Sequence, residues 1–204
     1  VSTTLNLLLW YATRATAVVG ILLLTAVVVL GCVVAVRRAR RPEVAVTLLR
    51  THRSISLLAF SFLLVHIATS IVETYVSIDW ISALVPFTSG YRTLWVGLGT
   101  VAFDLLLAVM ITGLLRPWIP PRLFRAVHWA TYALWPIGLL HGWRAASVDG
   151  GWVGAVSLGC LLVGGAALGY RTVAALRDPR RRALRELGAE PGPRRSLVTT
   201  GAGR

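Results

Sequence analysis

The sequence has no lysine, eight acidic residues, four histidines, two cysteines and one methionine in 204 residues. Charged residues make up 14% of it, whereas a soluble domain carries about 25%. Length alone would allow one or two soluble domains. With 56% of residues apolar, there is too little polar surface to wrap them in water, and the composition is that of a membrane protein. Cys32 and Cys160 lie inside apolar runs, and neither CxxC nor CxxCH occurs. That excludes a redox dithiol and covalent c-type heme attachment, and both cysteines read as small buried side chains. No short apolar region followed by a small-x-small cleavage site succeeds Arg14, so no cleavable signal peptide is expected.

All the positive charge is arginine: 21 residues, for a formal net charge of +13. A balance of this sign can indicate nucleic acid. Here the arginines collect between apolar segments, which implies orientation in an anionic bilayer and no nucleic-acid partner. Five segments approach the roughly 20 residues a spanning helix requires: Thr16 to Val36, Ile55 to Val72, Leu94 to Leu115, Ala126 to Trp143 and Trp152 to Tyr170. The expected fold is therefore all-α: a polytopic membrane bundle of five transmembrane helices within residues 1–170. A basic tail, 171–204, follows. Its DPRRRALREL segment suits a short interfacial helix, and the remainder has the composition of disorder.

The linker 37–53 carries six arginines, the loop 116–125 three and the tail nine, 18 in all; Arg14, Arg92 and Arg144 fall on the other side. The positive-inside rule then puts the N-terminus outside and the C-terminus in the cytoplasm of a multi-pass plasma-membrane protein. The loop from Glu73 to Tyr91, with its DWISALVPFTSGY, predicts a short interfacial helix or a cap over the helix ends. PWIPP at 117–121 predicts a stiff turn. Most tryptophans sit near span ends as an aromatic belt.

The four histidines fall in two similar pairs. His52 and His66 lie fourteen apart on the second span, His128 and His141 thirteen apart on the fourth. Two helices separated by one other run in the same direction, so His52 comes level with His128 and His66 with His141. At 1.5 Å rise per residue the two levels are about 20 Å apart. That separation prevents all four from sharing one zinc ion. Facing imidazoles in an apolar bundle suit the two axial positions of heme b, one heme at each level and two per chain, forming an electron path across the membrane. The phase is imperfect: a spacing of 13 turns about 140° away from one face, and a kink at Pro136 would bring both imidazoles inward. Trp129 and Trp135 are candidates to pack on the porphyrins. Arg50, Arg53 and Arg125 near the cytoplasmic pair, and Arg92 and Arg144 near the outer one, are candidates to hold propionate carboxylates; the positive-inside rule alone would also explain the first three. Asp104 is the lone acid inside a span, to be read as a proton-relay or quinone-site group, a partner for Arg14 or a histidine Nδ1 proton, or a structural tie facing the bundle interior.

His52 with His66, His128 with His141, RAVHWATYALWPIGLLH and the YRTLWVGLGTVA stretch at 91–102 resemble the ferric reductase-like transmembrane family. That group includes the membrane domains of NADPH oxidases and ferric reductases and the bacterial heme subunit of periplasmic methionine sulfoxide reductase. The likeness runs from about Trp10 to Tyr170. It implies one-electron transfer between the membrane faces, with His52 and His128 on the cytoplasmic-side heme and His66 and His141 on the outer one. Larger relatives carry a cytoplasmic flavin and nicotinamide module. The 34 residues after the fifth span hold no Gly-rich nucleotide fingerprint. A separate reductase, a flavoprotein or quinol is then the expected electron donor, and the acceptor is periplasmic or extracellular. A quinol-linked heme subunit of a periplasmic reductase is the rival within redox chemistry. A non-redox membrane scaffold, or a small transporter using Asp104, is the rival outside it.

Overall fold

The apolar runs fold into helices because a chain in hydrocarbon must satisfy its own backbone donors and acceptors. The computed structural model describes residues 3–40, 42–74, 76, 78–146 and 150–177. Among these lie α1 (Thr3–Arg40), α2 (Pro42–Val72), α3 (Trp80–Leu84), α4 (Thr93–Leu114), α5 (Pro121–Trp129), α6 (Thr131–Ala145) and α7 (Gly150–Leu176). Helices α1, α2, α4 and α7 are each long and apolar enough to cross a membrane. Only 6% of the most apolar window of α2 is buried. Leu57, Leu58, Leu64 and Val65 on α2 and Leu161, Leu162 and Val163 on α7 point outward. Exposed leucines in such continuous stripes would aggregate a soluble bundle, and they suit a lipid-facing surface. The chain is an all-α, multi-span membrane protein.

The segment from Ala126 to Trp143, expected as one span, is not one helix. It breaks at Ala130 into α5, nine residues long, and α6, fifteen residues long. The Ala130 amide turns tightly onto the Val127 carbonyl at 2.9 Å. At 1.5 Å per residue α6 reaches about 22 Å, short of the roughly 30 Å hydrocarbon core. The expected distortion is present but not at Pro136 itself, which lies inside α6. Proline removes the donor for the carbonyl four residues before it, that of Tyr132, and crowds that oxygen. The discontinuity falls just N-terminal to Tyr132.

Helix α1 is the spine, packed against α2, α6 and α7, while α4 packs on α5 and α6. One core joins Ile21, Trp135, Leu139 and Cys160 across α1, α6 and α7; a second joins Leu106, Val109 and Leu134. Cys32 and Cys160 are buried free thiols, as their apolar settings predict. By contrast, among the long helices the α2 backbone lies close only to α1, and α2 faces α4 and α6 across a gap that side chains bridge midway, where Phe60 stacks on Phe103 with ring centres 6.3 Å apart and packs with Leu63 against Leu106, Val109 and Leu134.

The loop after α2 does form a cap. The Asp79 carboxylate accepts from the Ser82 amide at 2.8 Å and the Ser82 hydroxyl at 2.6 Å, closing the N-terminus of α3. Those bonds to Ser82 hold the Asp79 carboxyl below its ordinary range. The Thr100 hydroxyl donates to the Ser82 carbonyl at 2.7 Å, fixing α3 on α4. Phe87 takes φ 66°, and its amide nitrogen would lie 2.7 Å from a Cβ at position 97, so Gly97 is what lets the loop close down. At the other end of the chain α7 runs on to Leu176, past the limit at Tyr170 drawn from sequence. The tail helix and the disorder expected beyond Asp178 lie outside the described residues.

Candidate functional site: two facing histidine pairs

The gap beside α2 is bridged by imidazoles at two levels. His52 on α2 faces His128 at the end of α5, with ring centres 6.4 Å apart and planes at 65°. His66 on α2 faces His141 on α6, again with ring centres 6.4 Å apart and planes at 71°. The break at Ala130 resolves the phase problem of a thirteen-residue spacing, because His128 and His141 belong to different helices. Along α2 the levels are about 21 Å apart.

Three of the four rings are oriented by a backbone carbonyl on a neighbouring helix. The Nδ1–H of His52 donates to Val27 at 3.2 Å, that of His66 to Thr13 at 3.0 Å, and that of His141 to Trp95 at 2.7 Å. A carbonyl only accepts, so these bonds fix the proton on Nδ1 and leave Nε2 with its lone pair. His128 differs: its buried Nδ1 has no hydrogen-bond partner among the described residues, and its ring stacks on Phe124 with centres 5.2 Å apart. Two glycines let the rings sit against helix backbones. A Cβ at Gly99 of α4 would lie 2.5 Å from the His141 ring, and one at Gly31 of α1 would lie 3.5 Å from His52.

Around His66 and His141 opens a cavity of about 230 Å³, bounded by α1, α2, α4 and α6. Its walls are mostly apolar, with Val18, Ile21, Phe103 and Trp135 among them, and its polar edge carries Arg14, Glu73 and Tyr91. Trp135 lines this space, buried and donating its Nε1–H to the Thr25 hydroxyl at 3.1 Å. Trp129 does not; it is 65% exposed and lies edge-on to Tyr132.

The arginines are arranged differently from the sequence expectation. Arg92 donates to the carbonyls of Arg144, at 2.6 Å, and Ala146, at 3.2 Å, stitching the start of α4 to the end of α6. The Arg144 guanidinium covers the Trp95 ring at 4.8 Å. Neither lines the cavity; Arg14 of α1 does. At the other level Arg50, Arg53 and Arg125 are exposed, and Arg125 donates to its own helix at Pro121. Arg53 lies near enough to His52 to act on its charge. Arg171, which apolar length alone assigns to the tail, is half-buried on α7. It is hydrogen-bonded to the Tyr132 hydroxyl and brings its positive charge to His128. The signal for it is the run RTVAAL, whose helix-compatible composition continues the last span by two turns.

Asp104 is half-buried near the middle of α4 and does not line the cavity. Neither Arg14 nor a histidine acts on its carboxylate, and three of the four Nδ1 protons go to backbone carbonyls. Among the described residues no three His, Cys, Asp or Glu side chains converge as a metal site; the imidazoles meet strictly two by two. The chain matches no protein-family model, no curated protein and no solved structure.

Proposed function

We propose that this chain carries electrons across a membrane through two b-type hemes, one at each histidine pair, as the membrane subunit of a redox system in the manner of ferric reductase-like proteins. The observation that supports this best is the ring separation of 6.4 Å repeated at both levels. A metal–imidazole bond is about 2 Å and the ring centre lies about 1 Å behind the nitrogen, so two imidazoles that hold one ion between them would have centres about 6 Å apart. His52 with His128 and His66 with His141 would be the residues that hold such a group. When bound, a b-type heme supplies a one-electron couple.

The chain's own residues fit that group. Val27, Thr13 and Trp95 hold three rings through Nδ1 and leave the Nε2 lone pair to bind a metal, an arrangement that fixes a histidine ligand's tautomer. The cavity beside His66 and His141 provides room at the outer level, and its walls are mostly apolar. At the outer level Arg14 is better situated than Arg92 or Arg144 to receive a propionate, and at the inner level Arg171 and Arg53 are the nearest guanidinium groups. A non-redox scaffold has no comparable use for four imidazoles arranged across a cleft.

On this reading α5 and α6 together make the fourth of five crossings, with the arginine-rich end in the cytoplasm and anionic lipid around it. A separate reductase, a flavoprotein or quinol delivers the electrons, and an acceptor outside the cell takes them. Purified protein is expected to give a b-type α-band on reduction and a pyridine hemochromogen ratio of about two hemes per chain. A heme-free preparation from heme-sufficient cells would favour the scaffold. For orientation, a cysteine introduced at Thr200 should resist an impermeant maleimide in intact cells and react after lysis. Ready labelling before lysis would exchange the inner and outer sites.

A further inference from the structure

Glu73 is 6% exposed, lines the cavity that holds His66 and His141, and its Oε2 has no hydrogen-bond partner among the described residues. A carboxylate oxygen buried without a donor is costly as an anion, and the neutral acid relieves that cost. Other groups face it. From α1 come Arg14, Thr13 and Asn6, the last accepting from the Thr74 amide at 2.8 Å. His66 of α2, Tyr91 and His141 of α6 line the same space. Asp79 lies in the same loop but is committed to capping α3.

The route from Glu73 to the histidine pair passes through one residue. Thr13 takes the Nδ1–H of His66 on its carbonyl, and its side chain stands beside Glu73. Seven residues along the chain separate Glu73 from His66, about 10 Å at the helical rise. That distance is about a Debye length, and buried charges are screened less than exposed ones. The two are thus coupled by charge without touching.

We propose that Glu73 is a proton-loading site for the outer histidine pair: when one electron enters there, the Glu73 carboxylate takes up one proton from the outer aqueous side. This rests on the redox reading above. The balance is simple. One electron, delivered by the reductase or quinol, lowers the local charge by one. One proton converts carboxylate to carboxylic acid and restores it, and on reoxidation electron and proton leave together. Burial pushes the Glu73 carboxyl up from its ordinary value, against the opposing pull of Arg14 and Thr13, so the exchange falls above the usual carboxylate range. Arg14 keeps the oxidised-state anion tolerable, which lets the proton come off again.

The sign follows from the coupling. Reduction raises the proton affinity of Glu73, so the outer midpoint potential falls as pH rises. The slope has a ceiling of about 59 mV per pH unit, the equivalent of tenfold per unit for a one-electron couple, and is confined to the pH window between proton uptake by Glu73 in the reduced and in the oxidised state. Potentiometric titration of the full-length, heme-loaded protein from about pH 5 to 9 tests this. Hemochromogen content is measured first, so that a chain lacking heme would count against the redox reading itself. With both hemes bound, the outer component should slope and the inner one should be flatter. E73Q should flatten the outer component, and E73D should keep a slope. Reduced-minus-oxidised infrared spectra of wild type should gain a protonated-carboxyl band that shifts in D₂O and is missing in E73Q. Two bound hemes with no wild-type slope, a slope surviving in E73Q, or no carboxyl band on reduction would each overturn the assignment.

Discussion

Replacing His66 with alanine is expected to remove one heme from each chain, leave the other in place, and abolish transmembrane electron transfer. His66 faces His141, so losing it would leave a single imidazole at that level. The other pair is built from separate parts: His52 oriented by Val27, and His128 against Phe124. About 21 Å of α2 lies between the levels, and no residue orienting one pair orients the other. The hemochromogen ratio should fall from about two to about one, and the redox titration should change from two components to one. His66 borders a cavity instead of filling a packed core, so truncating it creates little new void and the fold should persist. A titration that keeps two components in H66A would remove His66 from the ligand set. The reciprocal H52A should empty the inner site and spare the outer one, which guards against a non-specific loss.

The bundle is legible in the sequence wherever a rule acts along the chain. Apolar length marks the four long helices, and the loop chemistry of Asp79 and Ser82 marks the cap. The pairing of histidine levels can be read from spacing and helix direction, two quantities that need no tertiary contact. The break in the fourth span is hidden. Apolar composition extends unbroken through Ala130, and hydropathy does not register where backbone hydrogen bonds shorten. Pro136 signals the distortion but lies beyond it, since a proline is felt at the carbonyl of Tyr132 upstream. The arginine partners are the least legible. Arg92 and Arg144 lie close in sequence to the outer end of the bundle, yet Arg92 is spent on backbone carbonyls and Arg144 covers Trp95. Arg14 and Glu73 come to the cavity from distant parts of the sequence, a juxtaposition set by how α1 packs on α2. Similarly, Arg171 reaches Tyr132 only because α7 continues beyond its apolar run.

The second large effect expected comes from a residue with no side chain. His141 lies over α4 with its Nδ1–H on the Trp95 carbonyl at 2.7 Å, and Gly99 is one helical turn further on. A Cβ there would stand 2.5 Å from Cε1, 2.6 Å from Nδ1 and 2.9 Å from Nε2 of the His141 ring. Non-bonded carbon atoms rest about 3.5 to 4 Å apart, so even alanine must push the ring away. The push breaks the bond to Trp95 and turns Nε2 out of line with His66. Against this, alanine in a helix interior is favoured over glycine by about 1 kcal/mol, so α4 itself should gain slightly. The two effects have opposite signs and different readouts. G99A is expected to weaken the outer site and G99V to empty it, with the inner site retained in both, while thermal stability of the heme-free chain changes little in G99A because the helix gain offsets the lost His141–Trp95 bond. At Gly113, on the same helix, a Cβ would meet nothing within 4 Å, so G113A should give the helix gain without loss of heme. G99V retaining two hemes with wild-type potentials would mean that His141 can serve as a ligand without its seat on Trp95, and the backbone-oriented tautomer would then have no part in building the outer site.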